Sequence, residues 1–135
     1  MSTQIFVNLP VRDLEKSTAF FAALGYANNP QFTDENAACI VISDTIYVML
    51  LVEPFFQGFT RKAIGDARTH TEVILCLSAD TRAGVDTLAD KALAAGGSET
   101  LEAKDYGFMY QRSFQDLDGH QWEIVHMDEG AMPAN

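Results

Sequence analysis

The stretch QIFVNLPVRDLEKSTAFFAALG, residues 4–25, changes its apolar period at Asp13. Before that point Ile5, Val7, Leu9 and Val11 alternate with Phe6, Asn8 and Pro10, which is the period of a β-strand. After it Leu14, Phe20, Phe21 and Leu24 recur at roughly helical spacing. Asp13 is suited to cap that helix, and Gly25 falls where a left-handed C-terminal residue is wanted. Three strand-like runs follow at residues 26–33, 37–43 and 45–52, the last two joined through Ser43, Asp44 and Thr45 as a hairpin. The first half therefore reads βαβββ.

Residues 53–71 break the pattern with Pro54, Gly58, Gly65 and three aromatics, Phe55, Phe56 and Phe59. A connection of this length is usually functional or a linker. The aromatic cluster fits a lid over a ligand and equally a dimer interface. Then the order starts again. Residues 72–78 form an apolar strand, and Asp80 or Thr81 caps a helix with Val85, Leu88, Ala89 and Ala92 on one face. Gly96 and Gly97 end it, and strand-like runs follow at residues 99–103, 108–114 and 120–127, with Asp118-Gly119 as the tight turn. The chain is thus an α+β protein of two βαβββ modules, 4–52 and 72–127, joined by loop 53–71. Each module has one helix for one face of its sheet, so the open faces predict a curved mixed sheet around a central cleft, a natural small-molecule site. Residues 128–135 read as a loose tail.

Composition bounds the function. Nine Lys and Arg stand against 19 Asp and Glu, a net charge of −10 with no basic cluster, which argues against nucleic acid as a partner. The longest apolar run, residues 46–52, is too short to cross a bilayer, and the polar N-terminus has no signal-peptide core. A cytoplasmic protein is expected. Cys39 and Cys76 fall in strand-like runs and read as small buried thiols, not as a disulfide framework.

The stretch from Phe6 to Ser17, with Phe20-Phe21 and Leu24-Gly25, resembles the opening of the vicinal oxygen chelate superfamily. That group includes glyoxalase I, extradiol dioxygenases and the fosfomycin and bleomycin resistance proteins. Phe114-Gln115-Asp116-Leu117-Asp118-Gly119-His120-Gln121-Trp122-Glu123 is similar to its closing hairpin, in which Asp-Pro-Asp-Gly precedes a metal-binding Glu; Leu117 stands in place of the Pro. The resemblance covers nearly the whole chain, residues 1–135 as a single domain, and implies a glyoxalase-like fold and a homodimer. It does not specify a reaction, because one fold hosts many chemistries.

Metal-dependent members place four ligands in the cleft. Carried over, these positions fall on Phe6, near Met49, near Glu72 and on Glu123. Phe6 cannot coordinate, and a thioether is a poor ligand for hard divalent ions. His70 lies two residues before Glu72, so an extended strand would set both on one face. A reduced site of His70, Glu72 and Glu123 is the implied metal centre, for Ni, Zn, Mn or Fe, with Glu123 also as the catalytic base. Phe6, Asn8, Tyr47 and Met49 share inward parity, and Tyr110 and Arg112 join them as substrate-binding residues. Arg112 would pair with Glu123 or hold a substrate carboxylate or phosphonate. His126 has the opposite parity to Glu123, and His120 belongs to the turn. Two functions follow: a glyoxalase- or dioxygenase-like metalloenzyme, a lyase or dioxygenase with an incomplete metal site, or a metal-free drug- or metabolite-binding protein of the bleomycin-resistance type.

Overall fold

The computed structural model describes residues 2–131, so part of the expected tail, residues 132–135, lies outside the described residues. The chain divides into two compact units, residues 1–66 and 67–135.

In the first unit, β1 (Ile5–Val11) leads into α1 (Leu14–Ala23), followed by β2 (Ala27–Asn29), β3 (Ala37–Val41), β4 (Ile46–Val52) and a short α2 (Glu53–Gln57). The helix starts where Asp13 accepts the Lys16 N–H at 3.1 Å, and Gly25 follows its end at φ +104°. The sheet order is β1-β4-β3-β2, with β1 parallel to β4 and the other pairs antiparallel. Leu9, Val11, Phe20, Phe21, Leu24, Ala38, Ile40, Val48 and Leu50 are buried. These sheet residues share the parity that faces α1, as the strand alternation requires. The expected strand 26–33 stops early. Pro30 has no N–H to donate, and Asn29 instead accepts the Gln31 N–H at 3.0 Å, so residues Pro30–Phe32 turn as a 3₁₀-helix.

The second unit repeats the order. β5 (Ile74–Ser78) and α3 (Arg82–Ala94) precede β6 (Ser98–Glu99), β7 (Lys104–Asp105), β8 (Met109–Gln115) and β9 (Gln121–Met127). Thr81 caps α3 by accepting the Gly84 N–H at 2.9 Å. β5 runs parallel to β9, β8 is antiparallel to β9, and β6 and β7 both pair with β8. The strand expected at 99–103 is instead two short pairs with a break between them. Val85, Ala89 and Ala92 of α3 and Phe114, Trp122 and Ile124 of the sheet are buried. The Phe114 and Trp122 rings lie parallel, 6.5 Å apart. No helix among the described residues is long and apolar enough to cross a membrane.

Candidate functional site

In each sheet one face packs against the unit's long helix, and the opposite parity faces away from it. In the first unit the register pairs Phe6 with Tyr47, Asn8 with Met49, and Met49 with Cys39. Paired residues point the same way, so all five lie on the face turned away from α1. A groove of about 490 Å³ opens there, lined by Gln4, Phe6, Asn29, Phe32, Cys39, Tyr47 and Met49. Phe6 and Tyr47 stack with centroids 4.9 Å apart and planes 11° from parallel. The Tyr47 hydroxyl donates to the Asp44 carbonyl at 2.9 Å, which fixes its ring. Cys39 is buried, and burial pushes its thiol pKa up, so the thiol stays protonated. Asn8 lies on the same face just outside this lining, its amide 3.5 Å from the Phe6 carbonyl. Sequence reasoning missed Phe32, because the turn that presents it was read as strand.

In the second unit Cys76 and Ser113 both pair with Glu123, and the three lie on the face turned away from α3. Gln111 donates to the Glu123 carboxylate at 3.0 Å, so the neighbour of this carboxylate is a carboxamide where a cation was expected. Cys76 is exposed on this face, a correction to the buried thiol expected. Its pKa is raised by burial of the sulfur and then by the Glu123 charge. It is therefore not an activated nucleophile.

Tyr110 and Arg112 point the other way. They share parity with the buried Phe114 and reach α3, where Tyr110 donates to Asp86 at 2.6 Å. Arg112 bonds Asp86 at 2.9 Å and Asp90 at 3.1 Å. Arg82 sits over the Tyr110 ring at 5.5 Å and pairs with Asp105 at 2.8 Å. Both residues brace the helix against the sheet; neither shares a face with Glu123, so the expected inward pair is corrected.

The expected metal trio does not assemble. β5 begins at Ile74, so His70 and Glu72 precede it as exposed, irregular chain. His70 Nδ1 lies 2.8 Å from the Thr69 hydroxyl. Register relocates the third ligand position. In the first unit Phe6 pairs with Tyr47, two residues before Met49. In the second, the partner of Gln121, two residues before Glu123, is Ile74. The positions the resemblance implies are therefore Phe6 and Met49 in the first unit and Ile74 and Glu123 in the second, of which one offers a hard oxygen. Neither pair fits Ni, Zn, Mn or Fe. Among the described residues the trio with ligand atoms within 4.8 Å of one another is Asp116, Asp118 and His120. That group is the turn's own scaffold. Asp116 Oδ1 accepts the Asp118 and His120 N–H groups at 3.0 Å each. Its Oδ2 accepts the Trp122 indole N–H at 3.1 Å and lies 2.9 Å from His120 Nδ1. His126 stays apart, its Nδ1 3.0 Å from the Ala79 carbonyl.

A family model for the N-terminal part of bleomycin-resistance-like proteins matches residues 3–43, the segment that carries β1, α1 and the first of the open face. A hypothetical protein from S. aureus shares 33% identity over 93% of this chain and 95% of its own, with a TM-score of 0.78. A glyoxalase/bleomycin resistance protein/dioxygenase family enzyme from Burkholderia phytofirmans superposes at a TM-score of 0.77 with 17% identity, covering 93% of this chain and 99% of that one. The fosfomycin resistance protein FosX of Listeria monocytogenes gives 0.69 at 16% identity, covering 97% and 98%. No curated protein matches the sequence. With the repeated βαβββ order, the opening strand and helix and the Asp-Leu-Asp-Gly hairpin all in place, the chain belongs to the vicinal oxygen chelate superfamily of glyoxalase, bleomycin-resistance and dioxygenase proteins.

Proposed function

We propose that this chain binds a small organic molecule without a metal, on the open face of its first sheet. The observation that carries the reading is the occupancy of the ligand positions: Phe6, Met49 and Ile74 cannot hold a hard divalent ion, and Glu123 alone would bind one weakly. Where the metal-dependent relatives need polar donors, the first unit offers an apolar groove with Gln4 and Asn29 as its polar groups. A groove of this size and mixture suits ligand binding. No Lewis-acid step is assigned. Phe6 and Tyr47 exclude water from the ligand's flat face, while the two carboxamides orient its polar atoms. The reading extends to one domain of two modules, a cytoplasmic setting and a homodimer. The exposed Phe55 and Phe59, whose rings meet edge to face at 5.3 Å, support the dimer as an apolar contact surface.

The metalloenzyme reading keeps one point in its favour, the carboxylate of Glu123 at the motif position. Elemental mass spectrometry after incubation with Ni, Zn, Mn and Fe(II) separates the two. Protein purified without tag or chelator should retain well under one ion per chain, and Glu123→Gln should leave that content unchanged. One tightly held ion per chain, lost in Glu123→Gln, overturns the proposal.

A further inference from the structure

Resting on that reading, we infer the ligand class: a planar aromatic molecule, uncharged or cationic, seated against the Phe6–Tyr47 pair with Phe32 as the second wall. Three aromatic side chains line one groove, and two of them are far more exposed than apolar rings usually are, Phe6 at 50% and Phe32 at 62%. Phe32 is not on a floppy segment. It closes a 3₁₀ turn set by Pro30 and the Asn29 cap, and the Thr33 N–H returns to the Pro30 carbonyl. The Phe6–Tyr47 stack is held from its other end by Tyr47 bonding the Asp44 carbonyl, with Gln4 within 3.4 Å of the same oxygens. Rings ordered before binding lose little freedom on binding. A flat, exposed π-face is best covered by another flat ring in offset stacking.

Charge narrows the class. Among the described residues the lining carries no Lys, Arg, His, Asp or Glu, and Cys39 is held as the neutral thiol. An anionic group placed there would lose water without gaining a cation. The field of a chain with net charge −10 opposes it further. A cationic ring gains instead from the aromatic faces.

Three probes share one ring system and differ in charge: acridone (neutral), 9-aminoacridine (cationic) and acridine-9-carboxylate (anionic). Their fluorescence is followed on titration with the full chain at salt high enough to screen surface charge. The neutral and cationic probes should bind saturably, and the anion at least tenfold more weakly. Phe6→Leu and Phe32→Ala should each weaken binding by about twofold to tenfold, the range expected for losing one ring contact. Both sites are exposed, so circular dichroism should show the fold intact. Leu101→Ala, exposed in the second unit and outside the groove lining, should change nothing. Equal affinity for the anion, or indifference to both substitutions, overturns the ligand class. If no acridine binds but a non-aromatic cage such as 1-adamantanol does, and Phe6→Leu weakens it, the class falls while the binding function stands. If neither probe type binds and one metal ion loads through Glu123, the function reading falls with it.

Discussion

Asp116→Asn tests whether the acidic trio of the closing turn is scaffold or metal site. Asp116 is 6% exposed, and its two oxygens face the Asp118 and His120 N–H groups, the His120 ring and the Trp122 indole. Asparagine keeps the shape but sets an NH₂ where one oxygen stood, so at least one buried donor then faces a donor. A hydrogen bond to a charged acceptor contributes about 1.5–3 kcal/mol, and breaking a buried network of them costs about 3 kcal/mol in all. For a chain of this length that lowers Tm by about 10–15 °C. Calorimetry reads the shift. Trp122 is the only tryptophan, so its emission reports the same turn directly and should change as the charged partner of its indole N–H is lost. A Tm within about 2 °C of wild type with unchanged emission would refute the scaffold argument. A metal site predicts the opposite pattern: Ni or Zn would raise the wild-type Tm, and Asp116→Asn would abolish that rise with little effect on the metal-free protein.

Gly119→Ala should be destabilising by about 2–4 kcal/mol by urea unfolding. Gly119 has φ +90°, and a Cβ there would lie 2.8 Å from the backbone of Ala67 and Arg68, so a variant as stable as wild type would mean the turn relaxes freely. Asp86 predicts a pH dependence. Hydrogen bonds from Tyr110 and then Arg112 hold its carboxyl below the usual range. A depressed folded-state pKa gives stability that is present above the unfolded value of about 3.9 and lost as pH falls through the folded one. Asp86→Asn should therefore lower Tm at pH 7 by only a few degrees, because the half-exposed pair is screened. The gap to wild type should close as pH drops below about 4; a gap that widens in acid contradicts the assignment.

The alternation of β1, the Asp13 cap and the two hairpins were legible because each is written in adjacent residues. The faces of β8 were harder. Tyr110 and Arg112 look like an inward pair, yet the same parity runs on to Phe114, whose ring is 1% exposed beneath α3. The signal that would have corrected them was Phe114, since a large aromatic next to Trp122 on the neighbouring strand marks the covered face. Ile74 as the third ligand position was not legible at all. It depends on the parallel register of β5 against β9, a contact between segments separated by α3 and three further strands, and local pattern carries no information on such a pairing. Phe32 was hidden for the reverse reason: Pro30 ends β2 early, and Phe32, two residues on, closes a turn where strand continuation would have made it one of an alternating series.

Each unit joins its first and last strands in parallel and packs its long helix on one face, yet the two opposite faces carry different chemistry. In the first, Phe6, Tyr47, Met49 and Cys39 make an apolar surface. In the second, Gln111, Ser113, Gln121 and Glu123 add polar groups beside Ile74 and Cys76, with Gln111 already bonded to the carboxylate. The ligand positions of the first sheet, Phe6 and Met49, hold no oxygen or nitrogen donor, and Ile74 removes one of the two in the second sheet, with the register intact in each. Restoring a donor within the second sheet tests that reasoning. Ile74 pairs with Gln121, two residues before Glu123, so Ile74→His sets an imidazole on the face of Glu123 and should bind Zn more tightly than wild type. Glu72→His should give no such gain, because residue 72 lies in the irregular chain before β5. Tighter binding through Glu72→His and none through Ile74→His would show that the ligand positions of the second sheet are set by that irregular chain and not by the strand pairing.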